Sequence, residues 1–208
     1  MTLDELMQKH GSDKASVFTR TYAKPHDYCR HLSLFLEPIR SRPVKMLEVG
    51  CGGGESVKGW LDYFPDEDSE IYSVDIVSGT NNWDTANAMK LIEPRYTFVQ
   101  GDQGIPSFWE KFIGEHGAGW DFVADDGSHV NTDIIVSFIA LWPYVKPGGF
   151  YAIEDLGTAY GNSPFFVKAN LPNHMDFLKG KIDELNKGGD IDSMTFSKEL
   201  CVLRKAIA

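Results

Sequence analysis

The stretch LEVGCGGGES, from Leu47 to Ser56, decides the fold because it sets a glycine-rich turn between an apolar run and a helix-like segment. The run Lys45–Val49 predicts a buried strand, and residues 56–64 have the apolar spacing of a helix. Glycines at a strand-to-helix turn let the backbone approach a bound ligand closely. The turn therefore predicts an α/β fold with a nucleotide-like cofactor at this point.

The spacing of the glycines narrows the class of cofactor. The dinucleotide fingerprint needs glycine at its sixth position, but counting from Gly50 that position is Glu55, which disfavours NAD. The GK[ST] ending of a phosphate-binding loop is also missing, which disfavours a nucleoside triphosphate. Glu48 precedes the glycines in the pattern E-x-G-x-G-x-G. This pattern resembles the first motif of class I S-adenosylmethionine methyltransferases, in which Gly50 and Gly52 would lie against the cofactor.

Outward from the turn, short apolar runs alternate with segments of helical period. Strands are predicted at 45–49, 71–75, 96–100, 121–125 and 150–154, and helices at 56–64, 83–92, 107–115 and 132–144. Residues 192–196 and 200–205 predict a closing antiparallel hairpin. The alternation predicts an α/β, Rossmann-like, doubly wound sheet of seven strands, mostly parallel, with helices on both faces.

Length and composition favour one domain. A chain of 208 residues that is 42% hydrophobic is long enough to bury one sizeable core and too short for two full-sized domains. We expect a single methyltransferase domain over residues 1–208, with an N-terminal helical cap at 1–43 and a Rossmann-like core at 44–208. Thr2 and Glu5 have the spacing of a capping box at the start of the first helix.

Charge and cysteine usage exclude several classes of partner. The net charge of −10 comes without a basic cluster, so a nucleic-acid substrate is not expected. No run approaches the ~18 apolar residues of a membrane span, and the N-terminus has no targeting pattern. Cys29, Cys51 and Cys201 show no CxxC spacing, which fits a reducing cytoplasm. The expected partner is a small molecule, and a homo-oligomer stays open.

Acidic residues follow the second and third predicted strands. Asp75, 25 residues after Gly50, is suited to accept hydrogen bonds from both ribose hydroxyls of an adenosine-type ligand. Asp102 and Gln103 follow the third strand, where methyltransferases of this kind use an acidic residue to accept the adenine amino group. Taken singly, each feature has a plainer interpretation, since a glycine-rich stretch is often a tight turn and a strand-end aspartate often a helix cap.

DDGSH (125–129) and IED (153–155) end the fourth and fifth predicted strands. Ligands of open α/β sheets bind outside these carboxyl ends, so Asp126, Glu154 and Asp155 are expected to form a half-shell for Mg²⁺ or Mn²⁺. His129, whose type has an unperturbed pKa of about 6.5, is suited to take a proton from a hydroxyl. The plainer alternatives are a turn cap for Asp126, lysine pairs for the other acids and an ordinary loop histidine.

IYSVDI, GDQ, DDGSH and WPYVKPGGFYAIEDLGTAY, with GSDK near the N-terminus, resemble the magnesium-dependent sugar O-methyltransferases of macrolide and aromatic-polyketide antibiotic pathways. A more distant resemblance is to the cephalosporin hydroxylase-like family. The resemblance runs from about Gly11 to Tyr160. It implies Mg²⁺ ligands at Asp126, Glu154 and Asp155, with His129 as general base. It also implies S-adenosylmethionine contacts at Glu48, Gly50, Ser56, Asp75, Asp102 and Gln103.

Three rival hypotheses remain at this point. A metal-independent N- or carboxyl methyltransferase would be indifferent to chelators, and a non-catalytic S-adenosylmethionine-binding accessory protein would bind the cofactor without transfer. A metal-dependent oxygenase would need two histidines and a carboxylate, whereas the predicted pocket offers His129 alone. Residues 157–170, which include Tyr160, Phe165 and Phe166, are either a substrate lid or an ordinary loop.

Overall fold

The computed structural model describes residues 1–18, 24–76, 92–161, 163–168 and 170–207. The chain divides into two compact units, Met1–Gln100 and Gly101–Ala208. All but the last residue of the predicted helix at 83–92 lies outside the described residues. The division into a cap at 1–43 and a core at 44–208 stays a prediction.

The first unit contains three parallel strands and three α-helices in its described residues. The strands are β1 (Lys45–Val49), β2 (Glu70–Asp75) and β3 (Tyr96–Gln100), in the order β3-β2-β1. The helices are α1 (Leu3–His10), α2 (Cys29–Leu36) and α3 (Glu55–Tyr63), and α1 packs against α3. Helix α1 begins at the predicted capping box, in which Thr2 and Glu5 each accept the other's backbone N–H.

The second unit contains four strands and three α-helices in its described residues. The strands are β4 (Trp120–Asp125), β5 (Val145–Ile153), β6 (Ile191–Ser197) and β7 (Leu200–Lys205), in the order β4-β5-β7-β6. The helices are α4 (Pro106–His116), α5 (Asn131–Leu141) and α6 (His174–Asn186). Strands β4 and β5 are parallel, and β7 is antiparallel to both β5 and β6.

The predicted fold class is confirmed: seven strands, mostly parallel, end in an antiparallel hairpin, and helices alternate with the strands. All six residues of β4 are buried, as expected for a strand covered on both faces. Strand β5 begins at Val145, five residues before its predicted start, because Val145 pairs with Trp120 ahead of a register shift. Among the described residues, no helix is long and apolar enough to cross a membrane.

Candidate active site

The glycine-rich turn has a left-handed backbone that its glycines make possible. Gly50, Gly52 and Gly54 have φ values of +82°, +48° and +84°, a region that residues with a side chain rarely adopt. Gly54 is also the N-cap residue of α3. The turn between β1 and α3 therefore depends on glycine at these three positions.

Asp75, at the end of β2, holds this turn. Its Oδ2 accepts hydrogen bonds from the backbone N–H groups of Cys51 and Gly52, each at 2.9 Å. Burial raises the pKa of the Asp75 carboxyl, and these two donors act in the opposite direction. The carboxylate thus holds the backbone of the glycine-rich turn through one of its oxygens.

Glu48 points into the interior beneath the turn. Its carboxylate is 0% exposed and accepts hydrogen bonds from Ser56 Oγ at 2.7 Å and Trp60 Nε1 at 3.0 Å. Lys14 Nζ lies 3.6 Å from Glu48 Oε1. Two residues predicted to contact the cofactor, Glu48 and Ser56, are thus hydrogen-bonded to each other. The sequence signal for Lys14 is the GSDK motif.

Asp102 and Gln103 belong to the second unit and differ in exposure. Asp102 is exposed, and its Oδ1 accepts the backbone N–H of Gly104 at 2.8 Å. Gln103 is 5% exposed; its amide nitrogen donates to Asp125 Oδ1 at 3.1 Å, and its Oε1 accepts the backbone N–H of Ser128 at 2.5 Å. A Cβ at Gly127 would lie 1.7 Å from Gln103 Oε1, so this close approach requires glycine. Gln103 therefore braces the DDGSH loop.

Asp125 is the buried foundation of the same loop. Besides Gln103, its carboxylate accepts hydrogen bonds from Ser137 Oγ and from Tyr151 Oη, the latter at 2.9 Å. Burial raises the pKa of Asp125 to about 6, and these donors oppose that shift. The first aspartate of the DDGSH motif is thus an internal acceptor that leaves Asp126 to face outward.

Asp126, His129 and Asp155 converge. One ligand atom from each lies within 4.8 Å of the others, and His129 Nε2 is 3.4 Å from Asp155 Oδ2. Three of the predicted site residues, which follow two different strands, therefore lie close together. Glu154, the fourth predicted residue, is 1% exposed and does not belong to this cluster.

Two members of this cluster have a strained backbone. His129 and Asp155 adopt φ values of +56° and +54°, in the left-handed region that costs a side-chain-bearing residue about 1–3 kcal/mol. Such conformations persist where the surroundings determine them, and they are concentrated at functional sites. Both strained residues belong to the cluster proposed as functional.

Asn131 and His174 support the cluster, and sequence reasoning missed both. Asn131 donates from its backbone N and from Nδ2 to the carbonyl oxygen of Phe166, at 3.1 and 2.8 Å, and its Oδ1 accepts the backbone N–H of His174 at 3.0 Å. The Phe166 ring centroid lies 6.4 Å from that of His129. Burial lowers the pKa of His174 to about 4. Neither residue belongs to a sequence motif, so no signal marks it.

A glycine-rich turn after the first strand, with acidic residues at the ends of the strands that follow, defines a Rossmann-like methyltransferase of class I. Residues 47–156 match the family described as "Methyltransferase domain", and the chain belongs to this family.

Two curated relatives illustrate the similarity. The chain is 35% identical over 150 residues to the mycinamicin VI 2''-O-methyltransferase of Micromonospora griseorubida, an alignment of 69% of this chain and 35% of the relative. It is 37% identical over 197 residues to a tetracenomycin-C rhamnosyl 3'-O-methyltransferase of Streptomyces olivaceus, covering 88% of this chain and 45% of the relative. The chain thus spans less than half the length of these relatives.

A solved structure matches the whole chain. The mycinamycin-pathway methyltransferase MycE, in complex with Mg, SAH and mycinamycin VI, superimposes with a TM-score of 0.81 at 28% identity. The match covers 100% of this chain and 55% of that one. The resemblance to the sugar O-methyltransferases of antibiotic pathways is confirmed.

Proposed function

We propose that this chain is an S-adenosylmethionine-dependent, divalent-metal-dependent O-methyltransferase that acts on a hydroxyl of a small molecule, a sugar or a natural-product scaffold. The observation that carries the proposal is the convergence of Asp126, His129 and Asp155 within 4.8 Å. Two acids and a histidine at that separation are the groups that deprotonation of a hydroxyl needs. Both relatives described above are O-methyltransferases, one of them for a rhamnosyl tetracenomycin, which supports the same reaction.

For the cofactor, we propose that the backbone at Gly50 and Gly52 lies against S-adenosylmethionine and that Asp75 accepts its ribose hydroxyls. Exposed Asp102 is the proposed acceptor for the adenine amino group. Glu48 and Ser56 are included in the proposed site because they bond to each other beneath the glycine-rich turn. Gln103 is included because it braces the DDGSH loop. When bound, S-adenosylmethionine supplies an electrophilic methyl group on a sulfonium.

For the metal, we propose that Asp126, Glu154 and Asp155 hold Mg²⁺ or Mn²⁺. The donor set fits a hard cation, because carboxylate oxygens are the ligands these ions prefer. Two like charges as close as Asp126 and Asp155 repel unless a cation or a proton compensates them. When bound, the ion would orient the acceptor hydroxyl and make it more acidic.

His129 is the proposed general base. Its Nε2 takes the hydroxyl proton as the acceptor oxygen attacks the methyl carbon; the carbon–oxygen bond forms, the carbon–sulfur bond breaks and S-adenosylhomocysteine leaves. The Asp155 carboxylate, 3.4 Å away, stabilises the imidazolium that this proton transfer creates. The proton then passes to solvent.

The test combines binding with transfer. S-adenosylmethionine is titrated calorimetrically with Mg²⁺ and with EDTA, into the wild type and Asp126→Ala. Labelled methyl transfer is then followed with glycosylated macrolides, aromatic polyketides and polyphenols. We expect cofactor binding in both proteins, a Mg²⁺ heat only in the wild type, and transfer to oxygen that EDTA abolishes. Absence of cofactor binding under every condition would refute the proposal, and chelator-insensitive transfer would favour a metal-independent enzyme.

We also propose a reducing, cytoplasmic setting for this activity. Cys29, Cys51 and Cys201 are all free thiols and all buried. The proposed partner is the small-molecule hydroxyl acceptor. Self-association into a homo-oligomer stays a prediction.

A further inference from the structure

Lys14, in the GSDK motif, is a buried lysine. It is only 1% exposed, although lysine is among the side chains least often fully buried. The Glu48 carboxylate, itself 0% exposed, lies 3.6 Å from the ammonium nitrogen. Removing one partner of a buried ion pair strongly destabilises the folded protein, because the remaining charge stays buried without compensation.

Glu48 connects the two elements on either side of the glycine-rich turn. It lies on β1, and its two hydrogen-bond donors, Ser56 and Trp60, lie on α3. An ionised carboxylate can only accept hydrogen bonds, so each of its two oxygens can accept one of these two donors. A protonated carboxyl would instead have to place a proton of its own among these groups. The charge on Glu48 therefore matters to the closure of the turn.

The backbone of Lys14 has a second set of contacts. Its carbonyl oxygen accepts hydrogen bonds from the backbone N–H of Tyr28 at 2.9 Å, from that of Cys29 at 3.2 Å, and from Cys29 Sγ at 3.1 Å. The donors belong to Cys29, the first residue of α2, and to Tyr28, the residue before it. Lys14 thus joins the start of α2 to the carboxylate beneath the glycine-rich turn.

We propose that Lys14 is a positioning residue for the cofactor turn: its ammonium keeps Glu48 ionised, and the ionised carboxylate holds β1 and α3 in the arrangement that binds S-adenosylmethionine. The role is electrostatic and is exerted through Glu48. It rests on the proposed function, because it assumes that this turn binds S-adenosylmethionine. Other groups that face Glu48 are Cys51 and Tyr96, which interact electrostatically with it.

The test separates charge from packing by calorimetric titration of S-adenosylmethionine into four variants. Lys14→Met removes the ammonium but keeps the aliphatic volume, and Lys14→Met/Glu48→Gln removes both charges. Glu48→Gln is the second single variant of the cycle, and Lys24→Met, at an exposed lysine of the same unit, is the control. We expect Lys14→Met and Glu48→Gln each to weaken binding by about tenfold or more, and the double variant to bind within about threefold of Glu48→Gln, because Lys14 acts through the Glu48 charge.

Two outcomes would overturn the proposal. Wild-type affinity in Lys14→Met would show that the ammonium is dispensable. A double variant that binds more than about threefold more weakly than Glu48→Gln, or that does not fold, would show that Lys14 acts by packing rather than through the Glu48 charge. If Lys14→Met alone fails to fold, the comparison of the double variant with Glu48→Gln decides by the same threefold criterion. Failure of the proposed function is distinct, because then the wild type itself would not bind S-adenosylmethionine.

Discussion

The left-handed backbone at Asp155 allows its strain to be separated from its chemistry. Glycine adopts φ = +54° without cost, whereas alanine does not. We expect Asp155→Gly to be more stable than Asp155→Ala by about 1 kcal/mol in urea-induced unfolding. Both variants keep the left-handed backbone, but only in the alanine variant does a Cβ make it strained. Both variants should lose the Mg²⁺ heat. Equal stability of the two would mean that the backbone relaxes when the carboxylate is removed.

His129 permits a similarly matched substitution. Asparagine tolerates the left-handed region better than most residues, so His129→Asn preserves the backbone at φ = +56° while removing the base. We expect kcat for methyl transfer to fall by about 10²–10⁴-fold, with the Kd for S-adenosylmethionine unchanged. Quenched-flow transfer assays and calorimetry measure the two quantities. A loss of cofactor affinity equal to the loss of rate would place His129 in cofactor binding instead of proton transfer.

The sequence identifies the types and the order of the site residues, but not the direction in which each side chain points. Strand-end placement correctly predicted that Asp126 and Asp155 meet, because parallel strands end at one edge of a sheet. The same reasoning could not determine that Glu48 points inward, since that depends on Ser56 and Trp60 across the turn. Side-chain direction at a strand end is a tertiary property, which a motif does not encode.

Among the elements, the start of α5 anchors the segment that precedes α6. Asn131 bonds through its side chain to the Phe166 carbonyl and to the backbone of His174. Asn131→Ala should lose both bonds, costing about 1 kcal/mol each, and should expose residues 163–168 to chymotrypsin several-fold faster than in the wild type.

The matched control for this experiment is Asn186→Ala. Asn186 also donates its amide to a backbone carbonyl, that of Ile182, but within α6. Cleavage mapped by mass spectrometry should increase after Phe165 and Phe166 in the Asn131 variant only. If the control shows the same increase, the effect comes from general loss of stability. The segment would then not depend on Asn131 for its placement.

The hydrophobic period and the turn residues of the sequence predict which helices and strands form. They do not predict the residues at which those elements begin and end. Helix α5 was predicted to continue to residue 144, but it ends at Leu141 and passes into a tighter turn that contains Pro143. The early start of β5 at Val145 depends on pairing with Trp120, 25 residues earlier in the chain. Local pattern predicts which kind of element forms; long-range pairing decides where it begins.

For the molecule as a whole, buried His174 predicts a loss of stability in mild acid. Burial lowers its pKa to about 4 in the folded state, while the imidazole of the unfolded chain titrates near 6.5. Between these values the unfolded chain binds the proton more tightly, so lowering the pH favours unfolding. The pKa difference corresponds to at most about 3 kcal/mol, nearly all of it lost as the pH falls from about 6.5 to 4.

The measurement is the free energy of unfolding in urea at pH 7 and pH 4.5, for the wild type and for His174→Leu, whose side chain does not titrate. We expect the difference between the two pH values to be smaller in the variant by about 2 kcal/mol, even if its stability at pH 7 is lower. The comparison cancels the carboxylates that titrate in the same range, because both proteins retain them. An identical pH dependence in the two proteins would mean that His174 takes up its proton as readily in the folded state as in the unfolded chain, and that its burial is relieved before global unfolding.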